Sequence, residues 1–116
     1  IYLQVLSTKK RIISSMLETA KKHFEIGLEY FEKSNFIEAE KNFRKSLEYC
    51  PGRLSLLVNL SATLIKLHKF DEAQVVINEI LIDHPNDAIT HLIQYQTSHS
   101  VIKISLPTLA ANSVAA

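Results

Sequence analysis

This chain of 116 residues has two glycines, three prolines, one cysteine and no tryptophan. With one cysteine, Cys50, an internal disulfide is impossible, and the thiol chemistry suits a reducing, cytoplasmic setting. With two glycines, a glycine-rich loop that wraps a nucleotide phosphate is close to excluded. No run reaches the roughly eighteen consecutive apolar residues of a membrane span. The formal net charge of +1 supplies no overall field towards nucleic acid or a membrane surface. The opening Ile-Tyr-Leu-Gln-Val-Leu is too short for the apolar part of a signal peptide and has no basic residue before it.

What is present is long, rarely interrupted and periodic. From about Lys9 to Lys33, Ile13, Leu17, Ala20, Phe24, Gly27, Leu28 and Phe31 recur at steps of three and four, which predicts a helix. Residues 1–8 are apolar and give no clear period. Ser34-Asn35 ends the first run, and a second helix is predicted from about Ile37 to Tyr49. On it Glu40 and Arg44 stand four apart and attract, while Lys41 and Lys45 repel. Cys50-Pro51-Gly52 stops it, since proline has no N–H and restricts the residue before it. Cys50 reads as a buried, inert thiol at that helix end. Leu54 to Leu67 is apolar nearly all round, as in a helix buried on several sides. A further helix is predicted from about Glu72 to Ile82 with Asp71 as its cap, and a fifth from near Ala88, capped by Asn86 or Asp87.

The same pattern returns thirty-four residues later. Gly27 corresponds to Ser61, Tyr30 to Leu64, Ala39 to Ala73, Phe43 to Ile77, Ser46 to Ile80 and Pro51 to Pro85. A fixed period of this length marks stacked helical hairpins. Small residues at 27, 61, 39 and 73 fit places where paired helices come close.

These residues resemble the tetratricopeptide repeat. One repeat, 20–53, matches through Ile26-Gly27, Tyr30, Ala39, Phe43 and Pro51. A second, 54–87, matches through Leu57, Leu60, Ala73 and Pro85, with Ser61 in place of glycine. Residues 1–19 read as a flanking helix, and 88–116 as a degenerate third repeat or poorly ordered tail. His23, Ser46 and Ile80 depart from the family pattern, and at Gln94, Tyr95 and Ser98 it is lost. From Ala88 on there is no acidic residue, and Lys103 is the lone Lys or Arg. Val101 to Leu106 reads as a strand.

The resemblance implies an all-α fold of antiparallel hairpins stacked as a short right-handed solenoid. It implies a concave groove lined by the first helix of each repeat. The groove residues would be Lys21, Phe24, Glu25, Leu28, Val58, Asn59, Ile65 and Lys66, with Phe31, Glu32, Ser55 and Ala62 beside them. Asn59 stands where the family often places an amide that bonds an extended peptide backbone. The family's clamp for C-terminal carboxylates is not matched, because Phe24 and Leu28 occupy positions where it has Lys and Asn. The expected function is a non-enzymatic module binding a peptide or partner helix. The alternative is the non-catalytic N-terminal part of a larger bacterial enzyme, such as a protein glycosyltransferase or methyltransferase.

Catalytic and metal chemistry find little support. There is no Gly-x-Ser-x-Gly, and Cys50 has no histidine at a recognisable spacing. His84, Asp87 and His91 are the nearest candidate cluster for a metal, but a closed zinc site needs four ligands. No cofactor, metal or nucleic acid is therefore expected. Two repeats bury little core, so the chain is expected to be marginally stable or to self-associate.

Overall fold

A computed structural model describes residues 1–104, and the side chains of residues 1–98. Five helices follow in order: α1 (Tyr2–Glu32), α2 (Phe36–Tyr49), α3 (Leu54–Lys66), α4 (Phe70–Asp83) and α5 (Ala88–Ile104). No strand occurs among the described residues. The helices pack as antiparallel hairpins, α1 on α2 and α3 on α4. The hairpins join through α2 against α3, α4 against α5 and α3 against α5.

The hairpin interiors rest on size. Gly27 lies under the ring of Phe43, and a Cβ built on it would sit 2.6 Å from Cε1 and 2.7 Å from Cδ1. Only a residue without a side chain permits α1 and α2 to approach with that ring between them. Phe43, Ala39 and Ala73 are fully buried, as are Ser61 and Ile77 at the matching places of the second hairpin. There the first helix gains a hydroxymethyl and the second gives up a ring, so the pair keeps roughly constant volume. Ser46, one of the departures from the family pattern, donates its hydroxyl to the Ala20 carbonyl at 2.7 Å, so burial leaves it satisfied.

α3 is the central element. Leu56, Leu57, Leu60, Ser61, Thr63 and Leu64 are all buried, which explains its nearly all-round apolar sequence. The buried hydroxyl of Thr63 bonds the Asn59 carbonyl at 2.7 Å, and that of Ser61 the Val58 carbonyl at 2.8 Å.

Both hairpin turns are closed the same way. The amide of Asn35 bonds the Tyr30 carbonyl, and that of Ser34 bonds the Phe31 carbonyl. One period later Lys69 bonds Leu64 and His68 bonds Ile65. This double bond pattern needs a left-handed residue after the helix. Ser34 at φ 61° and His68 at φ 60° fill that place, where glycine is the common choice.

Several expectations are corrected. α1 runs unbroken from Tyr2 to Glu32, so the flanking helix of residues 1–19 and the first helix of the 20–53 repeat, whose period is clear only from about Lys9, are one element. Asp71 caps nothing: α4 has already begun at Phe70, Lys69 is its N-cap residue, and Asp71 lies within the first turn. Cys50 is half-buried at the end of α2 rather than buried. Val101–Ile104 are helical, the last turn of α5, where a lone strand would have no neighbour to bond. Of the segment 88–116, expected as a degenerate third repeat or poorly ordered tail, residues 88–104 form α5; residues 105–116, with the remainder of that strand reading, fall outside the described residues.

Among the described residues, the first half of α1 packs against no other element. Residues 1–18 are exposed throughout, and burial begins at Ala20. α1 has 31 residues and α2 has 14. At 1.5 Å per residue α1 is about 46 Å long and α2 about 21 Å, so α2 leaves more than half of α1 uncovered.

Replacing Gly27 by Ala tests the close approach. The methyl gains about 1 kcal/mol of helix propensity, but it must displace a fully packed ring, which costs about 1–3 kcal/mol. The expected outcome in denaturant unfolding is a net loss. Adding Phe43→Leu, which removes the ring, should make the two changes together cost less than the sum of each alone. An additive pair would contradict the contact.

Candidate functional site

The first helices of the hairpins, α1 and α3, carry the predicted groove residues. Phe24, Leu28, Val58 and Ile65 are partly buried and packed against the core cluster. They keep part of their surface open. Lys21, Glu25 and Lys66 are exposed beside them, and Ser55 lies on the same face of α3. The Phe24 ring lies 5.8 Å from that of Phe43, and the Arg53 guanidinium stands 5.8 Å above it, a cation–π distance.

Asn59 is half-buried on α3. Its Nδ2 donates to the Ser55 carbonyl at 2.7 Å, one turn back on its own helix. That uses one of its two N–H bonds and holds the amide in place. Oδ1 accepts no hydrogen bond from the described residues. The side chain borders a cavity of about 270 Å³ between α3 and α5, lined by Leu54, Ser55, Val58, Asn59, Asp87 and Ile89.

The far wall of this cavity escaped the sequence reading. Ile89 is largely exposed, on the first turn of α5. Asp87 precedes that helix as one of the two predicted caps. Its Oδ2 accepts from the Thr90 amide at 2.9 Å and from the Thr90 hydroxyl at 2.6 Å. These two bonds, hydroxyl first, outweigh desolvation and hold its pKa below the ordinary value of 3.8, so the carboxylate is charged at neutral pH. The signal in the sequence was the matching of Ile89 to Ser55 across one period, obscured because the rest of the third repeat had lost its pattern.

His84, Asp87 and His91 do not converge as ligands. His91 Nε2 donates to the Pro85 carbonyl at 2.6 Å, and Asp87 is engaged with Thr90. Among the described residues no group of three or more His, Cys, Asp or Glu is placed to hold a metal ion.

Away from the groove, charges tie one hairpin to the next. Glu40 bonds Arg44 at 2.7 Å and Lys69 at 2.8 Å, and Glu72 approaches Arg44 at 3.5 Å and Lys69 at 4.0 Å. Desolvation pushes the Glu40 pKa up, but the hydrogen bonds from Lys69 and Arg44 outweigh it and leave the pKa below the ordinary 4.5.

A family model for the tetratricopeptide repeat matches residues 30–94. The chain belongs to the tetratricopeptide repeat family. A relative is protein POLLENLESS 3-LIKE 2 of Arabidopsis thaliana, 26% identical over 97 residues, which are 81% of this chain and 22% of that protein. The chain thus spans about a fifth of the length of this relative. Repeats of this family are typically non-catalytic interaction modules. No helix among the described residues is long and apolar enough to cross a membrane.

The Glu40 cluster sets a pH dependence. A carboxylate whose pKa is lowered by folding stabilises the fold above its unfolded pKa, and that contribution is lost as pH falls through the lowered folded value. Glu40→Gln should therefore cost about 0.5–1 kcal/mol at neutral pH. The difference from the parent should close under acid conditions, where Glu40 is itself protonated. Parallel denaturant melts at neutral and acid pH measure it, and a pH-independent difference would contradict the role of the charge.

Proposed function

We propose that this chain is a non-enzymatic interaction module that holds an extended peptide or a partner helix along the face of α1, α3 and α5, in a cytoplasmic setting. The observation that carries the reading is the pairing of apolar side chains that keep open surface with a fixed amide, whose oxygen and second N–H take no bond from the described residues. Phe24, Leu28, Val58 and Ile65 offer apolar walls. Lys21, Glu25 and Lys66 stand at the rim, where exposed charges tune selectivity more than affinity. Asn59, oriented by its Ser55 bond, retains an acceptor and one donor. A peptide backbone in extended conformation presents a matching N–H and C=O.

Replacing Asn59 by Ala should weaken peptide binding by about 1 kcal/mol, the usual net value of one hydrogen bond. The Ser55 carbonyl keeps its helical environment, so unfolding stability should barely change. Isothermal titration and thermal melts on the same variant separate the two effects. A loss of stability larger than any loss of binding would reject Asn59 as a ligand contact.

A second reading concerns the uncovered part of α1. Nine large hydrophobic residues between Ile1 and Leu17 are 40–100% exposed. Among them Leu6 and Ile13 continue, at seven-residue steps, the line of Ala20 and Gly27 that α2 covers. The occupant that fits is a second copy of this chain, whose own stripe would meet it about a two-fold axis with the helices antiparallel. Sedimentation should show a dimer that forms as concentration rises, and Ile13→Glu should give a monomer with its helix content kept. A monomer at every concentration would rule the pairing out.

A further inference from the structure

We propose that the cavity between α3 and α5 is a subsite for a basic side chain, lysine or arginine, of the bound segment. This rests on the groove reading above and adds to it the chemistry of one position.

The cavity has an apolar floor and polar ends. Leu54, Val58 and Ile89 provide surface for an aliphatic stem. Asp87 carries the only formal charge among the described lining residues. Its Oδ2 is spent on Thr90, and Oδ1 accepts no bond from the described residues. Asn59 Oδ1 is likewise free of any bond from them, because its amide nitrogen, not its oxygen, faces Ser55. Two open acceptors and no open cation border one apolar cavity. Among protein side chains, lysine and arginine join an apolar stem to a head that only donates. A glutamate would meet two acceptors and a like charge. A leucine would fill the floor and leave both acceptors without a donor.

The neighbouring groove reads with the opposite sign. Arg53 stands thirty-four residues before Asp87, at the same place in its repeat. It lies over Phe24 rather than over α5, so it borders the α1 side of α3. Successive grooves thus place a cation and then an anion at corresponding sites, and a bound segment would be read with direction.

The test uses the full chain and sets of short capped peptides that are random except at one central position, held as lysine, arginine, norleucine or glutamate. Norleucine keeps most of the lysine stem without the charge. Binding is read by fluorescence anisotropy. Lysine and arginine sets should bind better than norleucine by about fivefold, the range of a solvent-accessible ion pair. In Asp87→Asn the preference of lysine and arginine sets over norleucine should disappear. Asparagine caps helices as well as aspartate does, so α5 should keep its start. Ile89→Lys, at an exposed position, provides an independent variant: its own ammonium should occupy the subsite and abolish the preference. A preference for norleucine or glutamate, or a lysine preference untouched by both variants, would overturn the subsite and leave the groove standing. Absence of binding by every set would overturn the groove reading, and the subsite with it.

Discussion

Much of this structure follows from one close contact, the ring of Phe43 laid on the bare backbone of Gly27. It fixes how near α1 and α2 lie and holds the first hairpin together. The second hairpin meets the same constraint with different residues, Ser61 on α3 and Ile77 on α4, both fully buried. What recurs every thirty-four residues is a volume shared between two helices, rather than a residue type. Once both hairpins share that geometry they can stack, and stacking brings α5 against both α4 and α3. The face proposed to hold a partner is a consequence of that repetition.

The linkage between hairpins has two physical sources. On one side Leu56, Leu57, Leu60 and Leu64 of α3 join the buried cluster that includes Ala39 and Phe43 of α2. On the other, Glu40 gathers Arg44 and Lys69, with Glu72 close to both. Burial removes apolar surface from water and is the larger effect; exposed ion pairs contribute at most about 1 kcal/mol each. The charges still favour one relative placement of the hairpins, since Lys69 meets Glu40 only when the second turn lies beside α2.

The repeat and its small residues were readable because they are encoded in local spacing. α2, α3 and α4 fall within a residue or two of the expected ends, and Gly27 and Ala39 do what their size implies. Other features were hidden for identifiable reasons. Ser34 and His68 adopt left-handed backbone without being glycine, so composition alone could not reveal the turn. The Glu40–Lys69 bond joins residues twenty-nine apart across two turns, beyond any helical spacing. α1 runs unbroken from Tyr2, through residues 2–8 that give no clear period of their own. Of the residues proposed for the groove, Val58 and Asn59 follow from their repeat positions. Ile89 and Asp87 do not, because the third repeat keeps its helix while losing the residues that identify it.

The groove itself is tested most directly by mapping where a bound peptide touches. Backbone amide resonances followed during titration with a binding peptide should shift along the shared face, at Phe24, Leu28, Val58, Asn59 and Ile89. The outward surfaces of α2 and α4, including Arg44 and Asn78, should stay unchanged. Shifts concentrated on α2 and α4, with α3 silent, would contradict the assignment of the binding face.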